Sequence, residues 1–474
     1  MGLRVSESGM APQPSYEQLV VENAELKASL TTALARIEEL EARLGMSSKN
    51  SSKPPSSDGL AKPAPKSLRG RSGRGPGRPP GQAGSTLELV DKPDHQFTHE
   101  PHACVQCGAS LADAPVVGVD RRQVFDLPVM RLEVTQHDLV CRACSCGTVT
   151  KARTPVGVNA PVQYGPRIAA AGVYLLHGQF LSKGRTASAL GDLFGADVAA
   201  GTVASWTAKT AATVSGEVIP VIADRIAGAP VAHFDETGLR AEGKLHWMHS
   251  ASTDTDVLLT VHAKRGVKGM DAAGVLPRFT GVAVHDAWAP YDTYTEATHA
   301  LCNAHVLREL VYVQDTAPTK VADLAEQAAD ALLDIKDLVE TAATREAGID
   351  VQSLAEHRHV LRSALVLGKT ATQKRATELE RKYNNLFTRM IERWEDYLRF
   401  THDPTVPFSN NPAEQTIRMP KLRVKVSGCL RSLKGAQDFA AIRSYIATAA
   451  RAGQNMFEAL VQAAAGTPWI PATT

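Results

Sequence analysis

Two stretches, Val231-Ala-His-Phe-Asp-Glu236 and Val282-Ala-Val-His-Asp286, decide the fold of this chain. Each is a short run of β-branched and apolar residues that ends in an acid, which is typical of a buried strand. Residues 245–251 and 257–263 predict two further strands by the same criteria, and residues 270–279 predict a short helix. The order of three strands, a helix and a fourth strand predicts an α/β fold.

An acid at the end of the first strand and another at the end of the fourth is the layout of a ribonuclease H-like core. In that layout the two strands are neighbours, so Asp235 and Asp286 would lie together. Two carboxylates at close range raise each other's pKa unless a counter-charge is present. A divalent metal with oxygen ligands, Mg²⁺ or Mn²⁺, supplies that charge and suits phosphoryl transfer. Taken alone, an Asp-Glu pair at a strand end is more often a surface feature.

A candidate third acid lies far along the chain, in Ser409-Asn-Asn-Pro-Ala-Glu414. Asn411 as N-cap and Pro412 at the first helical position predict the start of a helix. Glu414, three residues after that cap, either completes a capping box or serves as a metal ligand. Local sequence leaves both interpretations open.

The 127 residues between Asp286 and Glu414 exceed what such a core needs. We therefore expect the catalytic core to comprise residues 228–316 and 401–434, interrupted by a helical insertion at 317–400. Residues 435–466 are rich in alanine and predict a helix or a pair of helices that closes the core.

Residues 16–45 carry a heptad pattern typical of a coiled coil. The seam positions are Leu19, Asn23, Leu26, Leu30, Ala33, Ile37, Leu40 and Leu44. Asn23 occupies an a position, where a buried amide favours a two-stranded assembly. The segment therefore predicts a homodimer or a higher homo-oligomer, and the alternative is one amphipathic helix that folds onto its own core.

Residues 46–90 form a basic linker rich in Pro, Gly and Ser, and we expect it to be disordered in the free protein. Residues 49–85 contain eight basic residues and one acid, although the whole chain has a net charge of only +2. This concentration of charge predicts contacts with DNA phosphates. Gly77-Arg78-Pro79 resembles the core of an AT-hook, and a solvated tether is the alternative. The candidate DNA-binding residues here are Arg69, Arg71, Arg74 and Arg78.

Residues 91–155 contain two CxxC pairs separated by 33 residues. Segments 122–129 and 132–140 between the pairs alternate like two strands. A β module with four thiolates predicts a structural Zn²⁺ site, and unpaired buried thiols are the alternative. The predicted ligands are Cys104, Cys107, Cys141 and Cys144, with Cys146 as a substitute for Cys144.

Residues 161–220 are predicted to be helical. The segments 185–194 and 201–215, joined by a turn at 195–198, would form a DNA-binding helix-turn-helix or plain structural helices. The chain is 43% hydrophobic, enough for a sizeable core, and has no apolar run of membrane-spanning length. Together with a cysteine usage that indicates a reducing compartment, this predicts a cytosolic protein. The sequence contains no GxxxxGK[ST] loop, so it gives no indication of chemistry driven by ATP.

Several motifs in this chain together resemble the insertion-sequence 66 family of bacterial transposases, the TnpC-type proteins. Beyond the zipper-like N-terminus and the paired CxxC module, the matching stretches are NSSKPPSSDG, GRPPGQ, HFDETG, VHDAWAPY, CNAH and NNPAEQTIR. They occur in the family's order and cover nearly the whole chain. The resemblance implies a DNA transposase that binds the terminal repeats of its element and cuts and joins DNA strands.

The resemblance also implies that Asp235, Asp286 and Glu414 are the acidic DDE triad and hold Mg²⁺ or Mn²⁺. CNAH resembles the C/DxxH signature of many such enzymes, and we expect Cys302 and His305 to pack or to support the site. The family usually has Glu-Arg where this chain has Glu414-Gln415. Pro420 would interrupt the helix after Arg418, which bears on whether Arg418 and Lys421 reach DNA.

Two other functions are compatible with the same residues. A degenerate transposase would bind DNA as a regulator without chemistry, and a hydrolytic nuclease of this fold would cut strands without joining them. The presence of all three acids favours the active transposase. The sequence does not identify the terminal repeat or accessory proteins from the same element.

Overall fold

The computed structural model describes residues 15–46, 50, 87–344 and 348–472 of the 474-residue chain. The chain divides into two compact units. Among the described residues, the larger unit comprises 15–46, 50, 138–190, 197–344 and 348–472. The smaller unit comprises 87–137 and 191–196.

The secondary structure is mixed α/β. The strands are β1 (Cys141–Ala143), β2 (Val149–Lys151), β3 (Val231–Ala241), β4 (Lys244–Ser252), β5 (Val257–His262), β6 (Val282–His285) and β7 (Thr298–Leu301). The helices are α1 (Tyr16–Leu44), α2 (Pro166–Val173), α3 (Lys183–Phe194), α4 (Ala200–Glu217), α5 (Ile219–Ala227), α6 (Val267–Asp271), α7 (Asn303–Thr316), α8 (Thr319–Thr344), α9 (Val351–Ala371), α10 (Glu378–Glu392), α11 (Trp394–Leu398), α12 (Asn411–Ser427), α13 (Leu433–Arg451) and α14 (Met456–Ala465).

A mixed five-stranded sheet lies at the centre of the larger unit, in the order β5-β4-β3-β6-β7. β3, β4 and β5 are antiparallel, whereas β3, β6 and β7 are parallel. The four strands predicted from the sequence are confirmed. β3 extends beyond its predicted end to Ala241 and turns into β4 through Glu242 and Gly243, whose positive φ angles of 55° and 73° suit a two-residue hairpin.

The strand β7 was not predicted. It has only four residues, Thr298-His-Ala-Leu301, and its first residue is exposed, so its pattern is weak. β7 positions the start of α7, because Cys302 directly follows the strand as the N-cap of that helix.

Helices pack against the sheet in two large apolar clusters. The first cluster buries Phe234 and Phe279 with residues of α2, α4, α5, α13 and α14. The predicted C-terminal pair is present as α13 and α14, which begin at the N-caps Ser432 and Asn455. The second cluster gathers residues of β6, β7 and α7–α10 around Tyr383 and Phe387.

Four helices, α8 to α11, occupy most of the segment in which a helical insertion is predicted. The apolar faces of α8, α9 and α10 are buried together, and the fully buried Phe387 ring lies against Gly368. An added Cβ at Gly368 would lie 2.7 Å from that ring, so the close approach of α9 and α10 depends on this glycine.

The expectation that Pro420 interrupts its helix is wrong. α12 continues through Pro420 to Ser427. Within a helix a proline removes one backbone hydrogen bond, here the one that the carbonyl of Thr416 would accept, and here the proline ring is buried. The basic residues on both sides of Pro420 therefore belong to one helix.

The predicted N-terminal helix is confirmed as α1, which begins with a capping box formed by Ser15 and Gln18. Its seam is exposed in the single chain, with Leu26 63% and Leu30 60% exposed. Only the end of the helix packs on the core, where Ala42 is buried in the second cluster. The predicted self-association through this seam stays a proposal.

The strands predicted at 122–129 and 132–140 are wrong, because the structure has no strand within these described segments. Their apolar side chains are exposed, Val124 at 91% and Val134 at 93%. Strand formation depends on packing one face of the strand against other residues, and these side chains have no such packing. The observed hairpin is β1 with β2, which flanks the second cysteine group.

Both helices of the candidate helix-turn-helix are present, as α3 and α4. α4 buries Val203, Ala211 and Val214 in the core and has one basic residue, Lys209, among its 18 residues. A single cation provides little attraction for phosphate. These features favour the interpretation of α4 as a structural helix. No helix among the described residues is long and apolar enough to span a bilayer.

Candidate active site

Asp235 lies within β3, and Asp286 directly follows β6, the parallel neighbour of β3. The register ends with His233 of β3 opposite Val284 of β6, and Asp235 and Asp286 each stand two residues beyond that pair, near enough for the charge of Asp286 to act on Asp235. Each carboxylate accepts one backbone hydrogen bond: Asp235 from the amide of Glu236 at 2.9 Å, and Asp286 from the amide of Trp288 at 3.0 Å. The strand pairing thus brings together the two aspartates that the sequence singled out.

The two aspartates lack sufficient positive charge around them. Burial, together with the charges of Glu236, Asp286 and Glu414, raises the pKa of Asp235 to about 8. Burial and Glu236 likewise raise the pKa of Asp286, against a lowering effect of His305. Partly buried carboxylates that repel one another favour binding of a cation. An all-oxygen donor set fits Mg²⁺ or Mn²⁺ better than a softer metal.

The N-terminus of α12 is attached directly to β3. Asn410 is fully buried, and its side-chain amide donates to the carbonyl of Phe234 at 2.7 Å and accepts from Nδ1 of His233 at 2.9 Å. Both partners immediately precede Asp235. These bonds position Glu414, on the first turn of α12, beside the strand end.

The capping-box interpretation of Glu414 is wrong in this structure. Asn410, rather than Asn411, is the N-cap, and no side chain caps the helix. Oε1 of Glu414 is buried and has no hydrogen-bond partner, although Nη2 of Arg308 lies 3.6 Å and Nε2 of His305 lies 3.7 Å away. A buried carboxylate oxygen without a partner is costly, and such an oxygen suits a ligand to a cation.

Cys302 and His305 lie beside Glu414, so the CNAH motif belongs to this site. In the described part of the chain, Cys302, His305 and Glu414 place one ligand atom each within 4.8 Å of one another, whereas the predicted acidic triad does not form so close a group. Burial raises the pKa of the Cys302 thiol to about 11, and Sγ accepts a hydrogen bond from the amide of Asn410 at 3.1 Å. A protonated, hydrogen-bonded thiol is a poor metal ligand and a good packing group.

Arg308 was missed by the sequence reasoning. It stands one helical turn after His305, and its Nε is buried without a hydrogen-bond partner. The only sequence signal was its spacing of three residues from His305, which puts both side chains on the same face of α7.

A second group of residues missed by sequence reasoning surrounds Glu236, whose side chain is 1% exposed. Glu236 accepts a hydrogen bond from the Tyr291 hydroxyl at 2.7 Å and pairs with Arg265, also at 2.7 Å. The Arg265 guanidinium lies 3.9 Å from the ring centre of Trp288 and 4.9 Å from that of Trp247. The motifs around the two aspartates are therefore joined through the buried Glu236 carboxylate, which pairs with the partly exposed Arg265 between two aromatic rings.

An exposed basic face follows Glu414 along α12. Arg418 pairs with Oε2 of Glu414 at 3.5 Å, and its side chain is 68% exposed. Lys421 and Lys425 are exposed at the spacing that continues the same helix face. The candidate DNA-binding residues Arg69, Arg71, Arg74 and Arg78 lie outside the described residues.

The cysteine groups belong to different units: Cys104 and Cys107 to the smaller one, and Cys141, Cys144 and Cys146 to the larger one. Each group contains a tight turn that is closed by a glycine. Gly108 donates to the Cys104 carbonyl, and Gly147 donates to the Cys144 carbonyl, each at 2.9 Å. Both glycines have positive φ, 74° and 85°. Since Cys107 and Cys146 each directly precede their glycine, Cys146 matches the first turn better than Cys144 does.

Comparison with known proteins identifies the larger part of the chain. A family model described as "Transposase IS66 family" matches residues 161–438, more than half of the sequence. A second, described as a family of unknown function (DUF6444), matches residues 11–88. No curated protein shows significant similarity to the chain. The first match spans the five-stranded sheet, both aspartates and the helix that carries Glu414, and on this ground the chain belongs to the IS66 family of transposases.

Proposed function

We propose that this transposase cuts and joins DNA strands with Asp235, Asp286 and Glu414 as its acidic triad. The observation that carries the proposal is the parallel pairing of β3 and β6, which brings the two aspartates near each other. The sheet order with its antiparallel and parallel halves supports a ribonuclease H-like core. The hydrogen bonds from Asn410 to β3 support Glu414 as the third member.

The three carboxylates would hold Mg²⁺ or Mn²⁺, whose chemistry at such a site is activation of the attacking oxygen and stabilisation of the leaving one. His305 and Arg308 hold the Glu414 carboxylate in place from α7. The Arg418 side chain is 68% exposed, so incoming DNA can reach it. When Glu414 binds the metal, the Arg418 guanidinium would exchange its pair with Glu414 for a DNA phosphate. Lys421 would bind a neighbouring phosphate on the same helix face.

The remaining modules would bind and assemble the DNA complex. The seam of α1, exposed in one chain, fits a second copy of the same helix and would give a homodimer or a higher homo-oligomer. The cysteine groups would hold one structural Zn²⁺ through Cys104, Cys107, Cys141 and Cys144, and the turn at Gly147 supports Cys146 as an alternative to Cys144. The basic linker with Arg69, Arg71, Arg74 and Arg78 would contact DNA phosphates.

The test uses the full-length protein, Mg²⁺ and a labelled duplex with the inverted repeat that flanks its gene. Transposase activity predicts both a nicked strand and a product in which the 3′ end is joined to a second duplex. Cutting without joining would make the protein a nuclease, and binding without cutting would make it a regulator. Accessory proteins from the same element are added in a parallel reaction.

A further inference from the structure

The far end of α12 borders a group of cations that the proposed triad does not use. We name it the Arg443 cluster, and it consists of Lys183, Arg423 and Arg443 around His177, Phe180 and Phe439. The three cations come from the start of α3, the end of α12 and the middle of α13. All six residues belong to the larger unit.

The contacts of the two arginines are to aromatic rings and backbone carbonyls. The Arg443 guanidinium lies 5.3 Å from the ring centre of Phe180 and donates to the His177 carbonyl at 3.4 Å. The Arg423 guanidinium lies 5.7 Å from the ring centre of Phe439 and donates to the Gly428 carbonyl at 2.9 Å. Among the described residues, no carboxylate lies within ion-pair distance of Lys183, Arg423 or Arg443.

Several polar atoms in and around the cluster are buried without a partner. They are Nδ1 of His177, Oγ1 of Thr186 and Nε of Arg443. His177 is only 6% exposed and Thr186 is fully buried. Burial lowers the pKa of Arg443 to about 10, and no acid offsets that effect. Burial, together with the charges of Arg423, Arg443 and Lys183, lowers the pKa of His177 to about 3.

Uncompensated cations at a partly buried position destabilise a protein unless an anion binds there. The backbone shows a second cost at the same place, because Phe180 has a φ of 59°, which is unfavourable for a bulky residue. Lys183 stands in the first turn of α3, where the helix dipole disfavours a cation and favours an anion. These features indicate a site built for a negatively charged ligand.

We propose that the Arg443 cluster is a second phosphate-binding site, which takes a backbone phosphate of the bound DNA. The proposal rests on the proposed function, in which DNA is the substrate. α12 connects the two places: Glu414 is on its first turn, and Ser427 at its end donates a hydrogen bond to the Phe180 carbonyl. Glu414 and Arg423 are nine residues apart, about 14 Å of helix, and about two and a half turns separate them, so the cluster lies on the opposite face of α12 and would hold a different part of the bound DNA from the part at the acids.

The test measures the affinity of the full-length protein for a duplex at several salt concentrations. Each lost phosphate contact lowers the slope of log K against log salt by about 0.9. We expect this loss for Arg443→Gln and about twice the loss for the double variant Arg423→Gln/Arg443→Gln. Arg362→Gln is the matched control, because Arg362 also lies over an aromatic ring, that of Trp394, and donates to a backbone carbonyl.

Thermal unfolding without DNA separates the ligand site from a structural role. The melting temperature of Arg443→Gln should be unchanged or higher, because the substitution removes an uncompensated charge. If Arg443→Gln does not fold, the salt slopes of Arg423→Gln and of Lys183→Gln, whose side chain is exposed, decide the question.

If the wild-type protein binds DNA and the variants show the same salt slope, the second site is overturned and the proposed function is unaffected. Melting temperatures are also measured with inorganic phosphate. If phosphate stabilises the wild-type protein but not the variants, while the salt slope of DNA binding is unchanged, the cluster binds free phosphate instead. A wild-type protein with no affinity for DNA would instead remove the proposed function, and this inference with it.

Discussion

Nη2 of Arg308 lies 3.6 Å from Oε1 of Glu414, and this contact links the CNAH motif to the third acid of the site. The two residues are more than 100 positions apart in the chain, and the insertion helices lie between them in the sequence. The Arg308 side chain is 24% exposed and that of Glu414 is 17% exposed, so solvent screens the pair only in part.

Replacing Arg308 with Gln should therefore release the Glu414 carboxylate. We expect strand cleavage to fall by about 10- to 100-fold, the usual cost of losing a residue that orients a metal ligand. The Mn²⁺ concentration needed for half-maximal cleavage should rise, whereas Arg308→Lys should restore part of the activity. Arg278→Gln, which breaks an exposed pair with Asp224, is the control. An Arg308→Gln enzyme with a normal metal requirement would exclude this positioning role.

Glu236 should contribute to the stability of the fold. Alternation along β3 places it on the opposite face from Asp235, yet its carboxylate is buried and paired with Arg265. Glu236→Gln should lower the free energy of unfolding by about 1–3 kcal/mol, because it leaves the guanidinium without a counter-ion. Glu458→Gln breaks the exposed pair with Arg167 and should cost much less. Equal melting temperatures for the two variants would refute the importance of the buried pair.

The seam of α1 predicts an assembly that point substitutions can dissolve. Leu30→Asp introduces a charge at an a position and should lower the oligomeric mass in light scattering. Its effect on the unfolding of the core should be small, because Leu30 is 60% exposed in one chain. Val21→Asp, 57% exposed and outside the seam, is the control. If Leu30→Asp keeps the wild-type mass, the chains associate elsewhere or remain single.

The purified protein should hold about one zinc per chain, which elemental analysis would measure. Cys104→Ser should release the metal and destabilise the module, whereas Cys429→Ser, at an exposed cysteine distant in sequence, should do neither. Comparing Cys144→Ser with Cys146→Ser identifies the fourth ligand. Wild-type protein without zinc would refute the assignment.

Elements of this fold that depend on neighbouring residues could be predicted from the sequence, and elements that depend on residues distant in the chain could not. β3 and β6 were readable because a run of apolar residues followed by an acid is a local pattern. The short strand β7 was not, since its place depends on pairing with β6. The strands expected at 122–140 failed because alternation without burial does not make a sheet.

The candidate site shows the same division. Asp235 and Asp286 follow from strand ends, but whether Glu414 caps a helix depends on Asn410, whose side chain bonds to a strand 176 residues away. Arg265 had no local signal and Arg308 had only its spacing from His305, because their partners come from distant segments. Pro420 was misjudged since one lost hydrogen bond is tolerated when the proline is buried.

The most direct test of the account compares Mg²⁺-dependent cutting and joining by Asp235→Asn, Asp286→Asn and Glu414→Gln with the wild-type protein. Each substitution keeps the side-chain volume and removes a charge that the metal requires. Each should reduce cleavage on the order of a thousandfold or more while DNA affinity stays close to that of the wild type. Cleavage by Asp235→Asn or Asp286→Asn at a rate near that of the wild type would contradict the central claim, and an active Glu414→Gln would place the third ligand elsewhere.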